Sequence, residues 1–150
     1  MPIIKITTQI NAPIKDVFDA ARSVDLHKQS TLFSEERAVA GRTHGLLELG
    51  EQTRWRAKHF GIWLELEVSI TEMQTPNWFV DEMVEGNFSY MRHEHCFIEQ
   101  STSQTLMTDR FEFTSPLGPL GKLVDNLILT NYLTKFLKQR NQFLKEYLER

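Results

Sequence analysis

A chain of 150 residues with 41% hydrophobic and 25% charged residues has the composition of an ordinary globular domain and is long enough to bury a core. Its formal net charge of -3 argues against nucleic-acid binding, and it has no apolar run of about 18 residues that would span a bilayer. The single cysteine excludes an intrachain disulfide, and the N-terminal residues lack the layout of a signal peptide. We therefore expect one cytoplasmic domain over residues 1–150, without membrane insertion.

The first third of the chain predicts a strand, two short helices and weaker strand signals. Apolar residues alternate with polar ones over 4–10, which indicates a half-buried strand. Asn11, followed two residues later by proline, marks the start of a helix with an apolar stripe. A second short helix is predicted over 24–30, and the weaker strand signals lie at 35–40 and 46–49.

The middle of the chain predicts an antiparallel meander. Two alternating segments, 53–59 and 62–70, flank a two-residue turn at Phe60-Gly61. This turn pairs Trp55 with Leu66 and keeps both apolar sets on one face of the sheet. Three further strands are predicted over 78–84, 88–99 and 105–114.

The last third predicts one long amphipathic helix from Leu117 to Leu148, with glycines only near its start. Such a helix would be roughly 45 Å long and would lie across a sheet instead of capping it. The expected fold is therefore α+β: a curved seven-stranded antiparallel sheet around a long C-terminal helix, with two short helices after the first strand. We expect this arrangement to enclose a cavity.

Two histidines and an aspartate are predicted among core residues of the last two strands. By alternation, His93 and His95 share the inner face of one strand, and Asp109 shares that of the next. A turn near 102–103 places His95 opposite Asp109, and a carboxylate beside it would favour the charged imidazolium. The apolar members of these inner faces are Met91, Phe97, Met107, Phe111 and Phe113.

The orientation of Asp81 depends on the length of the turn that follows its strand. A two-residue turn directs Val80 and Glu82 inward. A three-residue turn instead directs Asp81 and Met83 inward and places Asp81 opposite His93. Both faces of this strand are apolar enough that periodicity does not choose between the alternatives.

The inward polar residues His93, His95 and Asp109 allow several interpretations. The first is a water-filled part of a cavity wall, and the second is an anchor for the polar end of a ligand. The third is a catalytic acid–base pair of His95 and Asp109, and the fourth is a metal site. His-x-His spacing is common by chance, so we predict no metal and no cofactor.

Four further residues were assigned from their positions in the pattern. His59 and Trp55 alternate inward and are candidates for the cavity wall. Arg140 falls on the apolar stripe of the last helix, where it would pair with an inner carboxylate or extend its head to water, and we predict the latter. Cys96 points outward without an activating neighbour, so we predict no nucleophilic role. The helix stripe also holds Leu133, Phe136, Leu137, Leu144 and Tyr147.

Several short motifs share a pattern with a known family. They are Ile10-Asn11-Ala12-Pro13 through Val17-Phe18, Phe79-Val80-Asp81, Gly86-Asn87-Phe88, His93-Glu94-His95-Cys96-Phe97, Thr105 with Asp109, and Pro116-Leu117-Gly118. Together they resemble the START/birch-pollen-allergen superfamily, also called SRPBCC, over essentially the whole chain. They most resemble its bacterial, small ligand-binding and polyketide cyclase-like subgroup. That subgroup often has glutamine in place of Met83 and proline in place of Asn87. If that glutamine helps to hold a ligand, the resemblance implies that Met83 makes the pocket here more apolar.

The resemblance implies a helix-grip fold with a hydrophobic cavity between sheet and C-terminal helix. Relatives bind lipids, sterols, polyketides or plant hormones, and some are cyclases or aromatases, so the fold alone does not fix the function. The first hypothesis is binding or transport of a small lipophilic molecule, with no nucleic-acid partner. The residues expected at the ligand are Trp55, His59, Leu64, Leu66, Asp81, Met83, Met91, His93, His95, Phe97, Met107, Asp109, Phe111 and Leu127.

Two alternatives remain open from the sequence. One is an enzyme of cyclase or dehydratase type, with His95 as general acid and base and Asp109 orienting it. The other is a non-catalytic interaction subunit, in which outward Trp63 and Trp78 belong to a partner surface or a homodimer.

Overall fold

The computed structural model describes residues 1–115 and 118–150, apart from the side chains of 124–126. Seven strands form one antiparallel sheet, as predicted. They are β1 (Ile3–Ile10), β2 (Arg37–Gly41), β3 (Gln52–His59), β4 (Ile62–Gln74), β5 (Trp78–Glu85), β6 (Tyr90–Ser101) and β7 (Gln104–Thr114). Their order across the sheet is β1-β7-β6-β5-β4-β3-β2, so the first strand pairs with the last and the remainder is a meander.

The helices lie at the two ends of the chain. Two short helices, α1 (Ile14–Ala21) and α2 (Val24–Ser30), follow β1, and a 3-10 turn at Leu32–Ser34 leads to β2. The C-terminal helix comprises α3 (Gly118–Val124), a π-helical segment (Asp125–Leu129) and α4 (Thr130–Leu148). The predicted long helix is confirmed, but its predicted first residue, Leu117, lies outside the described residues. Within the described ranges, no helix is long and apolar enough to cross a membrane.

The core joins α1 to the inner face of the sheet. The Phe18 ring meets the rings of Phe79 and Phe97 edge to face, with centroids 5.5 Å and 5.3 Å apart. At the start of α2, the Ser23 hydroxyl oxygen accepts a hydrogen bond from the Leu26 amide at 3.1 Å, which caps the helix. The two short helices and β1 contact α4, which crosses the sheet.

The hairpin of β3 and β4 has the predicted register. Trp55 pairs with Leu66, and Arg54 pairs with Glu67 on the outer face. The turn residues Phe60 and Gly61 have φ values of 54° and 74°. Positive φ at both central residues gives the twist that joins two right-handed strands through a two-residue turn.

Some predicted elements are wrong in detail. Residues 46–49 are not a strand, because Leu46 forms only an isolated bridge with Ser23. Strand β6 begins at Tyr90 and not at Phe88, because residues 86–89 form the turn. This turn pairs Asp81 with His93, which is the arrangement expected for the three-residue alternative. On the helix stripe, Tyr147 is partly exposed, whereas Leu144 is buried.

Candidate functional site

A cavity of about 420 Å³ lies between the inner face of the sheet and α4. This volume is within the range of small-molecule pockets. Exposed Phe60 packs its ring against Tyr132 at 4.5 Å and marks the side that faces solvent. The wall is rich in aromatic side chains, which are Trp55, Phe60, Phe79, Phe88, Phe111, Tyr132 and Phe136.

Most residues predicted for the ligand site line this cavity. They come from five neighbouring strands, because alternation directs every second side chain of each strand inward. These residues are Trp55, His59, Leu64, Leu66, Asp81, Met91, His93, His95 and Phe111.

The other predicted site residues lie elsewhere. Phe97 and Met107 are buried in the core behind the cavity wall, and Met83 packs against the edge of that core. Asp109 is fully buried beneath the histidines. Leu127 is 63% exposed on the outside of the C-terminal helix. It lies within the π-helical segment, where the rotation per residue changes and the predicted helix stripe no longer holds.

The cavity wall also contains polar residues that the sequence analysis did not assign to it. His27 Nε2 lies 2.6 Å from Glu36 Oε1, and the His27 ring packs against Trp55. Tyr132 Oη lies 2.5 Å from His59 Nδ1. His27 and Glu36 belong to α2 and the loop before β2, where no periodic pattern signals a cavity. Leu133, Phe136 and Leu137, by contrast, were on the predicted helix stripe and do line the cavity.

Six polar side chains form a cluster at and beneath the cavity wall, which we call the buried cluster. Asp109 lies at its centre, and both carboxylate oxygens are used. Oδ1 accepts a hydrogen bond from His93 Nε2–H at 2.8 Å, and Oδ2 accepts one from Asn141 at 2.7 Å. The cost of burying this inward carboxylate is thus compensated by direct partners. The members are Asp81, His93, His95, Asp109, Arg140 and Asn141.

Arg140 belongs to the buried cluster, so the prediction that its head extends to water is wrong. Its side chain is 4% exposed, and Nη1 lies 3.5 Å from Asp109 Oδ1. The guanidinium also donates to the Ala21 carbonyl at 3.2 Å and to the Asn141 amide oxygen at 3.0 Å. An Arg140 side chain directed to water would leave Asp109 without its cationic partner, and that cost favours the buried arrangement.

The two histidines of the cluster stack on each other but have opposite pKa shifts. Their ring centroids lie 3.8 Å apart. Burial and the neighbouring His95 lower the pKa of His93. Burial also opposes the charge on His95, but the carboxylates of Asp109 and Asp81 outweigh it and raise the pKa of His95. We therefore assign the imidazolium to His95 and the neutral ring to His93.

Of the two carboxylates in the buried cluster, Asp81 and not Asp109 faces the cavity. Its side chain is 18% exposed, whereas that of Asp109 is fully buried. Asp81 Oδ2 lies 3.1 Å from His95 Nε2. Burial opposes ionisation of Asp81, but the hydrogen bond from His95 outweighs it and lowers the pKa of this carboxyl group. His95 Nδ1 lies 3.3 Å from Asp109 Oδ1, yet without the alignment of a hydrogen bond.

The cluster also contains donor atoms of the kinds that bind metals. Asp81, His93 and His95 bring three such atoms within 4.8 Å of one another. A shared ion requires the lone pairs of both imidazoles, which lie in the ring planes, to converge on one point. In the structure the two rings are stacked, and each Nε2 already contacts a carboxylate, that of His93 at 2.8 Å from Asp109 and that of His95 at 3.1 Å from Asp81. A metal ion bound by these three residues would have to displace these contacts.

Residues on the outer face do not extend the site. Cys96 is half-buried, and burial together with Glu94 raises the pKa of its thiol, which disfavours the thiolate. Trp63 is 43% exposed, and the Arg56 guanidinium lies 4.8 Å from the centroid of its ring. This cation–π contact gives the exposed Trp63 ring a packing partner within the chain.

No family model and no curated protein matches the chain. Solved structures do match it over nearly its full length. A START superfamily protein from Mycobacterium smegmatis has a TM-score of 0.74 at 12% identity and covers 98% of this chain and 97% of its own. The ginseng major latex-like protein from Panax ginseng has a TM-score of 0.71 at 16% identity, and the match covers 99% of this chain and 98% of its own. The Zhui aromatase/cyclase from a Streptomyces species has a TM-score of 0.69 at 9% identity, and the match covers 95% of this chain and 93% of its own. At these identities the similarity concerns the fold.

Proposed function

We propose that this chain, which has the helix-grip fold of the SRPBCC superfamily, binds a small hydrophobic molecule between its sheet and its C-terminal helix. The observation that carries the proposal is the cavity of about 420 Å³ with a largely apolar wall that is rich in aromatic side chains. The polar atoms of the buried cluster occupy one part of that wall. Apolar walls with a few convergent polar groups are the usual anatomy of a ligand pocket.

The aromatic wall gives the proposal its energetic basis. A ligand that covers these rings removes apolar surface from water, and each Å² contributes about 25 cal/mol before the cost of immobilising the ligand. Trp55 is already held by the His27 ring at 4.2 Å, so its indole is ordered before a ligand arrives. An ordered wall reduces the entropy that binding must overcome.

The proposal is tested by native mass spectrometry of the freshly purified chain and by titration with N-phenyl-naphthylamine, a neutral dye that fluoresces in apolar cavities. We expect a lipophilic adduct or stoichiometric dye binding. Leu64 lines the cavity, so Leu64→Trp should fill it and weaken dye binding about tenfold or more. Ile98→Trp adds the same ring at an exposed position of β6 and should leave binding unchanged.

Two results would contradict this proposal. A wild-type protein with a bare mass and no dye binding would show that the cavity takes no apolar ligand. Equal dye binding by Leu64→Trp and the wild type would show that the dye binds elsewhere on the surface.

A second candidate function is an acid–base enzyme of the cyclase or dehydratase class. The observation that favours it is the position of His95, whose imidazole lines the cavity within 3.1 Å of Asp81. The neighbouring carboxylates raise the pKa of His95 and so favour the charged form that could give a proton to a bound molecule. In this case the native spectra would show a bound compound whose mass changes with time. His95→Ala should abolish that change in an enzyme. In a protein that only binds the ligand, the same substitution should weaken binding modestly.

A further inference from the structure

In the polar part of the cavity wall, hydrogen-bond acceptors remain open, whereas the cationic side chains are already paired within the chain. Asp81 Oδ2 is engaged by His95, while Oδ1 has no hydrogen-bond partner within the part of the chain that the structure describes. His93 donates its Nε2–H to Asp109, so its Nδ1 carries a lone pair. Among the described residues, that Nδ1 has no protein hydrogen-bond partner, and the His93 side chain lines the cavity.

The two arginines of the cavity wall are already neutralised. Arg22 contacts Asp19 at 2.8 Å and Glu48 at 2.7 Å, and its Nη1 also donates to a backbone carbonyl. Arg140 is held by Asp109, the neighbouring amide and a carbonyl of α1. A carboxylate ligand would have to break one of these ion pairs to gain a cationic partner. It would also meet Asp81, whose negative charge repels it.

The charges of the buried cluster also disfavour a cationic ligand. The imidazolium of His95 lies between Asp81 and Asp109, and Arg140 supplies the second positive charge. With neutral His93, two positive and two negative charges cancel. An ammonium group placed here would lose its hydration without meeting a net negative charge. A neutral donor avoids that cost and still satisfies an open acceptor.

From this arrangement we infer that the cavity selects ligands whose buried polar end is a neutral hydrogen-bond donor, a phenol or alcohol hydroxyl, over carboxylates and amines of the same skeleton. The hydroxyl donates to Asp81 Oδ1 or His93 Nδ1, and the aromatic wall holds the apolar body. This inference rests on the proposed function and specifies the chemistry of its ligand.

The test uses the full chain and four probes with one skeleton: naphthalene, naphthol, naphthoate and naphthylmethylammonium. Each displaces N-phenyl-naphthylamine at neutral pH. We expect naphthol to compete at concentrations about tenfold or more below those of naphthoate and the ammonium, and below that of naphthalene. Naphthalene measures the apolar contribution alone.

Two variants locate the selectivity. Asp81→Asn should lower the preference of naphthol over naphthoate by about tenfold, while naphthalene should bind as before. Glu82→Gln makes the same chemical change one residue along β5, where the carboxylate contacts Arg92 on the outer face, and should leave the preference intact. The wild-type probe series decides the inference even if Asp81→Asn fails to fold.

The outcomes separate this inference from the proposed function. Dye and naphthalene binding without a preference for naphthol would overturn the inference alone. Preference for naphthoate or the ammonium would also overturn it. Failure of every probe and of the dye would overturn the proposed function as well.

Discussion

Arg92 and His93 are neighbours on β6, yet their side chains point to opposite faces of the sheet and enter opposite environments. Arg92 lies among acidic residues of the outer face, with Glu72 at 2.6 Å and Glu82 at 3.1 Å. His93 joins the buried cluster around Asp109 on the inner face. Both regions are networks of opposite charges that share strands β5 and β6, and they differ in their access to water.

The charged side chains around Arg92 on the outer face remain in contact with water. The Glu72 side chain is 48% exposed and that of Glu82 is 37% exposed, so water and salt screen their attraction to Arg92. In the buried cluster, Asp109 has no exposed surface and Arg140 has almost none. There the loss of one partner leaves a charge that water cannot reach. The comparison therefore predicts that similar substitutions have very different costs on the two faces.

The largest effect is expected for Asp109→Asn. The amide cannot accept from His93, Asn141 and Arg140 as a carboxylate does, and it leaves the Arg140 charge uncompensated. We expect the free energy of unfolding to fall by about 3–5 kcal/mol, measured by urea denaturation. Asp16→Asn, at an exposed position in the first turn of α1, is the matched control. It should cost less than about 1 kcal/mol, through the lost interaction of its charge with the helix dipole.

A double variant sharpens this result. Asp109→Leu with Arg140→Met removes both charges and keeps much of the side-chain volume. Because no charge is left unpaired, the double variant should be more stable than the sum of the single costs predicts. Strict additivity would show that the two residues do not act as a pair.

The buried cluster should also separate the titrations of its two histidines. We expect His95 to titrate above and His93 below the ordinary histidine range in long-range nitrogen–proton NMR spectra. The contribution of His95 to stability is complete below its unfolded-state pKa and is lost as the pH rises through its folded-state value. His93 acts in the opposite sense, since its lowered pKa destabilises the fold as the pH falls below the unfolded-state value.

Asp81→Asn removes a carboxylate beside His95 and should shift the titration of His95 downward. Coincident titration of His93 and His95 would show that the cluster does not distinguish them.

The sequence was enough to predict which side chains of β6 and β7 point inward, because the alternation along a strand depends only on residues that are neighbours in the chain. Period-two patterns place His93, His95 and Asp109 inward, and a short turn fixes the partner of His95. The facing of Asp81 was not predictable, because one residue more or less in the turn exchanges the two faces of its strand. The conformation of that turn depends on contacts that are remote in sequence.

The role of Arg140 required information that periodicity does not carry. The helix stripe shows that Arg140 faces the sheet, but it does not show which strand residue lies opposite. Pairing with Asp109 depends on how the helix is positioned over β7, and the same uncertainty applies to any polar residue on an apolar stripe. Leu127 illustrates a related limit, because the 3.6-residue period does not hold across the π-helical segment.

The smallest effect is expected on the outer face, for Arg92→Gln. Exposed ion pairs contribute about 0–1 kcal/mol each, and the ordering of long side chains offsets part of that gain. We therefore expect only a slight loss of stability in urea denaturation, and it should shrink further when salt is added. The cost of Asp109→Asn should change little with salt, since ions do not reach a fully buried carboxylate. Arg92→Gln could instead lower the free energy of unfolding as much as Asp109→Asn does, with a loss that is equally insensitive to salt. That result would show that cooperation among the charges outweighs screening on the outer face. Burial would then not explain the difference between the two faces.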